Sequence, residues 1–125
     1  MINHVSLGVS DLGRAVAFYD VVLKPMGYVR LWTKTTSAGY GSQGTDEPFA
    51  LHAVAAHARP PGAGCHLAFT APTRQAVDEF HAIAIEMGGT NEGAPGIRAH
   101  YGENYYAAFV LDLDGYKLEA VCHEN

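Results

Sequence analysis

The chain repeats itself at an interval of about sixty residues. His4 and His66 are 62 positions apart, as are Phe18 and Phe80, while Ala15-Val16 matches Ala76-Val77 and Met26-Gly27 matches Met87-Gly88 at 61. The closing segments follow suit: Phe49-Ala50-Leu51-His52-Ala53-Val54 lies over Tyr116-Lys117-Leu118-Glu119-Ala120-Val121 at an offset of 67. About five extra residues are then needed in the second half, and the loop Gly93 to His100 can hold them. A repeat of this kind means that one supersecondary unit occurs twice and that the two copies bury their apolar faces together.

Residues 2 to 9 alternate, with Ile2, His4, Ser6 and Gly8 opposite Val5, Leu7 and Val9, the period of a half-buried strand. Ser10 and Asp11 offer a helix N-cap. Leu12, Ala15, Val16, Tyr19, Val22, Leu23 and Met26 then recur at helical spacing until Pro25 and Gly27 stop them. Strands are expected near 28 to 35, 38 to 43 and 48 to 56. The second half repeats the plan: a strand from Cys65 to Thr70, a cap at Thr73, a helix carrying Val77, Phe80, Ile83, Ala84 and Met87, and strands near 89 to 92, 104 to 112 and 116 to 123. The expected fold is α+β, one domain over 1–125 made of two βαβββ modules, 1–57 and 63–125, in a curved mixed sheet around a cleft.

Bulk properties narrow the function. A net charge of −5 with eight scattered Lys and Arg residues disfavours nucleic acid as a partner. No apolar run approaches the roughly 18 residues a membrane-spanning helix needs, and the opening residues alternate rather than forming a secretory leader. A cytoplasmic location is therefore expected. Cys65 and Cys122 lack metal-binding or redox spacing and read as core thiols.

Helices on one face of each sheet leave the opposite face to line the cleft. His4 and His66, opposite the aliphatic residues of their strands, point there, and so does Glu119, alternating with Leu118 and Ala120. The repeat puts His52 at the position of Glu119. Imidazole and carboxylate together suit a divalent zinc, nickel, manganese or iron ion and leave positions open for substrate. His4, His66 and Glu119 are accordingly candidate metal ligands, with His52 a fourth.

These residues resemble the vicinal oxygen chelate superfamily of glyoxalases, bleomycin- and fosfomycin-resistance proteins and extradiol dioxygenases. The most specific matches are His4-Val5-Ser6-Leu7-Gly8-Val9-Ser10-Asp11-Leu12, Ala17-Phe18-Tyr19 and Asp112-Leu113-Asp114-Gly115-Tyr116-Lys117-Leu118-Glu119. Leu113 replaces the proline usual in the last motif. The resemblance implies one divalent metal on His4, His66 and Glu119, a small-molecule substrate with neighbouring oxygens, and a homodimer whose clefts are completed by two chains. His52 stands where glyoxalase I members commonly carry a second glutamate, which leaves Glu119 as the carboxylate for proton transfer. The same ligand set also suits oxygen activation on iron, although extradiol dioxygenases are generally longer.

Two functions follow as expectations. One is a metal-dependent lyase, isomerase or dioxygenase; the other is a non-catalytic protein of the bleomycin-resistance type that sequesters its ligand. Tyr101, Tyr105, Trp32 and Arg98 are the candidate substrate contacts, the phenols and indole for rings and oxygens, the guanidinium for a carboxylate or phosphate.

Overall fold

The computed structural model describes residues 1–44 and 48–124. The first module runs β1 (Val5–Val9), α1 (Leu12–Val22), β2 (Val29–Thr33), β3 (Ser37–Gly41) and β4 (Phe49–Ala53). The second runs β5 (Leu67–Thr70), α2 (Arg74–Glu86), β6 (Thr90–Ile97), β7 (Tyr106–Leu111) and β8 (Lys117–Cys122). Their sheets have the same order, β1-β4-β3-β2 and β5-β8-β7-β6, each with one parallel pair and two antiparallel ones. Two βαβββ units of one topology are thus present, as the repeat requires. No helix among the described residues is long and apolar enough to cross a membrane.

Local chemistry sets the element ends. The Asp11 carboxylate accepts from the amide of Arg14 and the Thr73 hydroxyl from that of Ala76, so both helices begin on a side-chain cap. α1 stops at Val22, earlier than the apolar spacing suggests, and a 3₁₀ turn at Lys24–Met26 carries Pro25. A proline there cannot extend the α-helical ladder. The repeated Met-Gly pairs close both helical segments, with Gly27 and Gly88 left-handed at φ +84° and +100°.

β6 runs five residues past the expected strand, through the segment foreseen as a loop. The extra residues enter as register shifts between Asn91 and Gly93 and between Gly93 and Gly96. An edge strand tolerates this, because Pro95 need not donate to a neighbour on its open side. The turn after it, 98–105, is closed by the Arg98 amide donating to the Tyr105 carbonyl at 2.8 Å.

The core lies where the helices meet the sheets. Val9, Phe18, Val22, Leu51, Val77, Phe80, Leu118 and Cys122 are all buried there. Two expectations fail at its edge. Cys65 is exposed, because it precedes β5 and lies beyond the helix layer, and Met87 is exposed because it falls past the last turn of α2.

One buried carboxylate joins the modules. Asp112, at the end of β7, accepts the Tyr19 hydroxyl from α1 on Oδ2 and the amides of Asp114 and Tyr116, each at 2.9 Å, on Oδ1. Around it, the Tyr116 hydroxyl donates to the Gly8 carbonyl at 2.7 Å and the Ser10 hydroxyl to Asp114 at 2.5 Å. The turn before β8 is thereby fastened to β1 and α1. Burial pushes the Asp112 carboxyl above its ordinary 3.8, outweighing the three donors that favour its charge. With the folded value above the unfolded one, its contribution to stability is fully present below pH 3.8 and falls as pH rises through the folded value.

Asp112→Ala should therefore cost about 2–4 kcal/mol in urea unfolding, since it leaves two amides and a buried phenol without an acceptor. Asp112→Asn keeps the shape without the charge, so its stability relative to the parent should improve as pH is raised from about 4.

Candidate functional site

In β8 the alternation that buries Leu118, Ala120 and Cys122 against the helices turns Lys117, Glu119 and Val121 to the opposite face. Glu119 pairs with Ala68 of β5 on one side and Phe109 of β7 on the other. His66, one residue before β5, lies on the face of Ala68 and reaches Glu119: its Nε2 is 2.9 Å from Oε1. The Tyr105 hydroxyl, brought over the sheet by the 98–105 turn, donates to Oε2. Glu119 is only 1% exposed while the His66 side chain is 38% exposed. A buried carboxylate is costly without partners; here both oxygens have one, and the imidazole carries the pair to the surface.

Burial and the bond to Glu119 push the Tyr105 phenol up to about 12, so it remains a donor throughout the neutral range. Tyr101 stands 5.1 Å from Tyr105 between ring centroids, His100 4.1 Å from Tyr101, and His123 edge-on to Tyr105 at 5.1 Å. The two candidate tyrosines are thus next to the His66–Glu119 pair. His123, assigned no role from sequence, packs on one of them. Arg98 is on the same side, its guanidinium 5.4 Å from the centroid of Phe109, whose ring also meets that of His66 at 5.9 Å.

His4 is not with this group. It also precedes its strand by one residue, but it is exposed, and its Nδ1 lies 2.7 Å from Asn3 Oδ1. Val5 and Leu67 border two adjacent cavities. One, of about 190 Å³, has His4 with Ala68 and Phe69; the other, of about 320 Å³, has Ser6 and Leu7 with Cys65 and His66. β1 and β5 therefore pass in opposite directions, related by a pseudo-twofold axis at Val5 and Leu67, which are themselves 62 apart. Each histidine lies on its own side of that axis. Among the described residues no three His, Cys, Asp or Glu side chains gather into a set that could hold a metal ion.

The register also corrects the equivalence of His52 and Glu119. Glu119 lies opposite Ala68, and the residue opposite Ser6, the counterpart of Ala68, is Ala50. His52 lies opposite Gly8, two residues or roughly 6.6 Å further along the strand. Rung for rung, the offset between β4 and β8 is 69 rather than 67, because the ladder and not residue type sets which residues lie level. His52 is exposed on this face.

Trp32 owes its place to a bulge. Arg30 pairs with Tyr40 and Trp32 with Gly39, so the strand carries one extra residue, Leu31. Arg30 thus stays on the helix side, bonded to Asp20 at 3.1 Å, while Trp32 turns to the face of Ala50 and His52. Its indole lies flat over Gly39, where a Cβ would come within 2.4 Å of the ring. Trp32 is thus a wall of the first module's face, away from His66 and Glu119. Lys117 and Phe109 join the second module's site without having been named as candidates.

Two measurements test this geometry. Tyr105→Phe leaves Glu119 Oε2 buried without its donor and should cost about 1–3 kcal/mol in thermal or urea unfolding of the metal-free protein. Gly39→Val should displace the indole, shifting the emission of Trp32 to the red; unchanged emission would contradict its packing on Gly39.

The Glyoxalase/Bleomycin resistance protein/Dioxygenase superfamily model matches residues 1–120. No curated protein matches. Among solved structures, a glyoxalase/bleomycin resistance protein from Albidiferax ferrireducens is 30% identical, with a TM-score of 0.80 over 96% of this chain and 97% of that one. A glyoxalase I variant from Zea mays shares the fold at 24% identity and a TM-score of 0.75, over 96% of this chain and 46% of that one. A fosfomycin resistance protein from Listeria monocytogenes does so at 16% and 0.71, over 98% and 92%. With two βαβββ modules and a match over nearly all its length, the chain belongs to the glyoxalase/bleomycin resistance protein/dioxygenase superfamily.

Proposed function

We propose that the protein is a metal-dependent enzyme of the glyoxalase type, acting on a small substrate with neighbouring oxygens, and that two copies complete each site. The observation that carries this is the His66–Glu119 pair: a nearly fully buried carboxylate joined to a half-exposed imidazole, 2.9 Å apart, at the edge of a cleft. The other buried carboxylate among the described residues, Asp112, is served by neutral donors alone. An imidazole and a carboxylate meeting at a cleft are the donor types that borderline divalent ions take.

Because His4 lies across the pseudo-twofold axis, the third ligand in this reading is His4 of a second copy, which gives a homodimer with paired sites. His52, further up the same face as His4, borders the site instead of closing it. When bound, a divalent ion supplies Lewis-acid stabilisation of developing oxyanion charge. The remaining work falls to the chain. Tyr105 holds one oxygen of Glu119 in place and His66 meets the other, so the carboxylate is oriented at the cleft, and Tyr101 and Tyr105 line the approach.

Metal content and sedimentation test the reading together. Loaded separately with zinc, nickel, manganese or iron, the dimer should bind about one ion per chain, and His4→Ala, His66→Ala or Glu119→Gln should each abolish that stoichiometry. A parent protein that sediments as a monomer, or that binds no metal, would refute it.

The gathering of only two candidate ligands among the described residues of one chain favours a second reading, sequestration of an organic ligand without chemistry. It predicts that small-molecule affinity survives all three substitutions.

A further inference from the structure

We propose that the cavity over Phe109 is an oxyanion subsite, taking a carboxylate or phosphate group of a small molecule. As the subsite of a substrate it rests on the reading above; as a binding site it needs no metal. The cavity measures about 380 Å³ and is bordered by His66, Arg98, Tyr101, Phe109 and Lys117, with Glu92 on its rim.

Two cations meet at one ring. Arg98 and Lys117 lie 5.4 and 5.2 Å from the centroid of Phe109, reaching it from the turn after β6 and from β8. Neither is ion-paired with a carboxylate among the described residues. In a chain of net charge −5, two such cations sharing a concave wall form a local field of opposite sign.

The guanidinium is also seated. It donates from Nη1 to the Gly96 carbonyl at 2.9 Å and from Nη2 to that of Ala94 at 2.8 Å, which fixes its plane and leaves further N–H groups for a ligand. Gly93 makes the seat possible: a Cβ there would lie 3.0 Å from both Nη2 and the Phe109 ring. The sequence thus keeps a gap in β6 that the guanidinium fills. A fixed guanidinium beside a free ammonium matches an oxyanion, one by directed bonds and the other as a point charge.

Glu92 opposes this field. It is exposed, where water and salt screen it, and it makes no ion pair with either cation. An anion held here lies beside His66, and therefore next to the His66–Glu119 pair, so a substrate with an acidic end would present its neighbouring atoms to that pair.

The test is a titration of chelator-treated protein with inorganic phosphate, and separately with acetate, followed by amide and Arg98 Nε–H chemical shifts. Saturable shifts confined to residues around Phe109 are expected, from phosphate if the subsite prefers a tetrahedral dianion and from acetate if it prefers a planar carboxylate. Lys117→Met and Arg98→Met should each weaken binding about tenfold or more, in line with the loss of a charge-assisted bond. Lys117→Gln serves if the Met variant does not fold, and Glu92→Gln should tighten binding. Absence of saturable shifts with both anions would overturn the inference, as would affinity unchanged in the cation variants. With metal stripped by chelator and the chelator then removed, neither result depends on whether the metal reading holds.

Discussion

The carboxylate of Asp112 is the constraint on which the rest of the architecture depends. It collects a phenol from α1 and two amides of its own turn, and that turn is bonded through Tyr116 and Ser10 to the end of β1. Two βαβββ units could pack on each other through their helices in several ways, since apolar contact has no direction. Hydrogen bonds to a buried group do have direction, and these fix β8 against β1. Glu119 lies seven residues beyond Asp112 on the strand so anchored, which gives its carboxylate a defined position relative to the first module.

Asp112 and Glu119 are both buried acids, yet their surroundings differ in kind. Asp112 is held by neutral donors, and desolvation prevails there. Glu119 meets a partly exposed imidazole at the cleft edge and a phenol whose proton stays in place to about pH 12. The first arrangement has one stable state and suits a joint. In the second, one side of the carboxylate is fixed by Tyr105 and the other faces a group that can exchange, which suits a site that binds or moves something.

Much of this was legible in the sequence. Alternation placed His66 and Glu119 on one face and Leu118, Ala120 and Cys122 on the other, because side-chain parity in a strand needs no knowledge of its neighbours. The repeat gave the order of elements in both halves. What escaped were properties of pairing. The rung that sets Ala50, not His52, level with Glu119 depends on how β1 meets β4, and residue similarity carries no record of that. The bulge at Leu31 that turns Trp32 across the sheet is equally invisible, as is the continuation of β6 through Pro95, because both depend on which strand lies at the edge. Cys65 and Met87 fit the apolar pattern but fall outside the layer that makes apolarity pay.

The shared topology of the two modules also localises their differences. A pseudo-twofold axis at Val5 and Leu67 gives each module the same strand order, so their faces differ in side chains and in the local bulges of β2 and β6. On the first face Gly39 and Ala50 leave a shallow floor under Trp32; on the second, Glu119, Lys117 and Phe109 occupy the corresponding strands. Had both faces kept a buried acid, each module would need its own imidazole and phenol to offset the desolvation of that charge. With the acid in one module and an alanine on the corresponding rung of the other, the desolvation cost of a buried carboxylate falls on one wall, while the opposite wall carries Trp32 and the exposed His4 and His52.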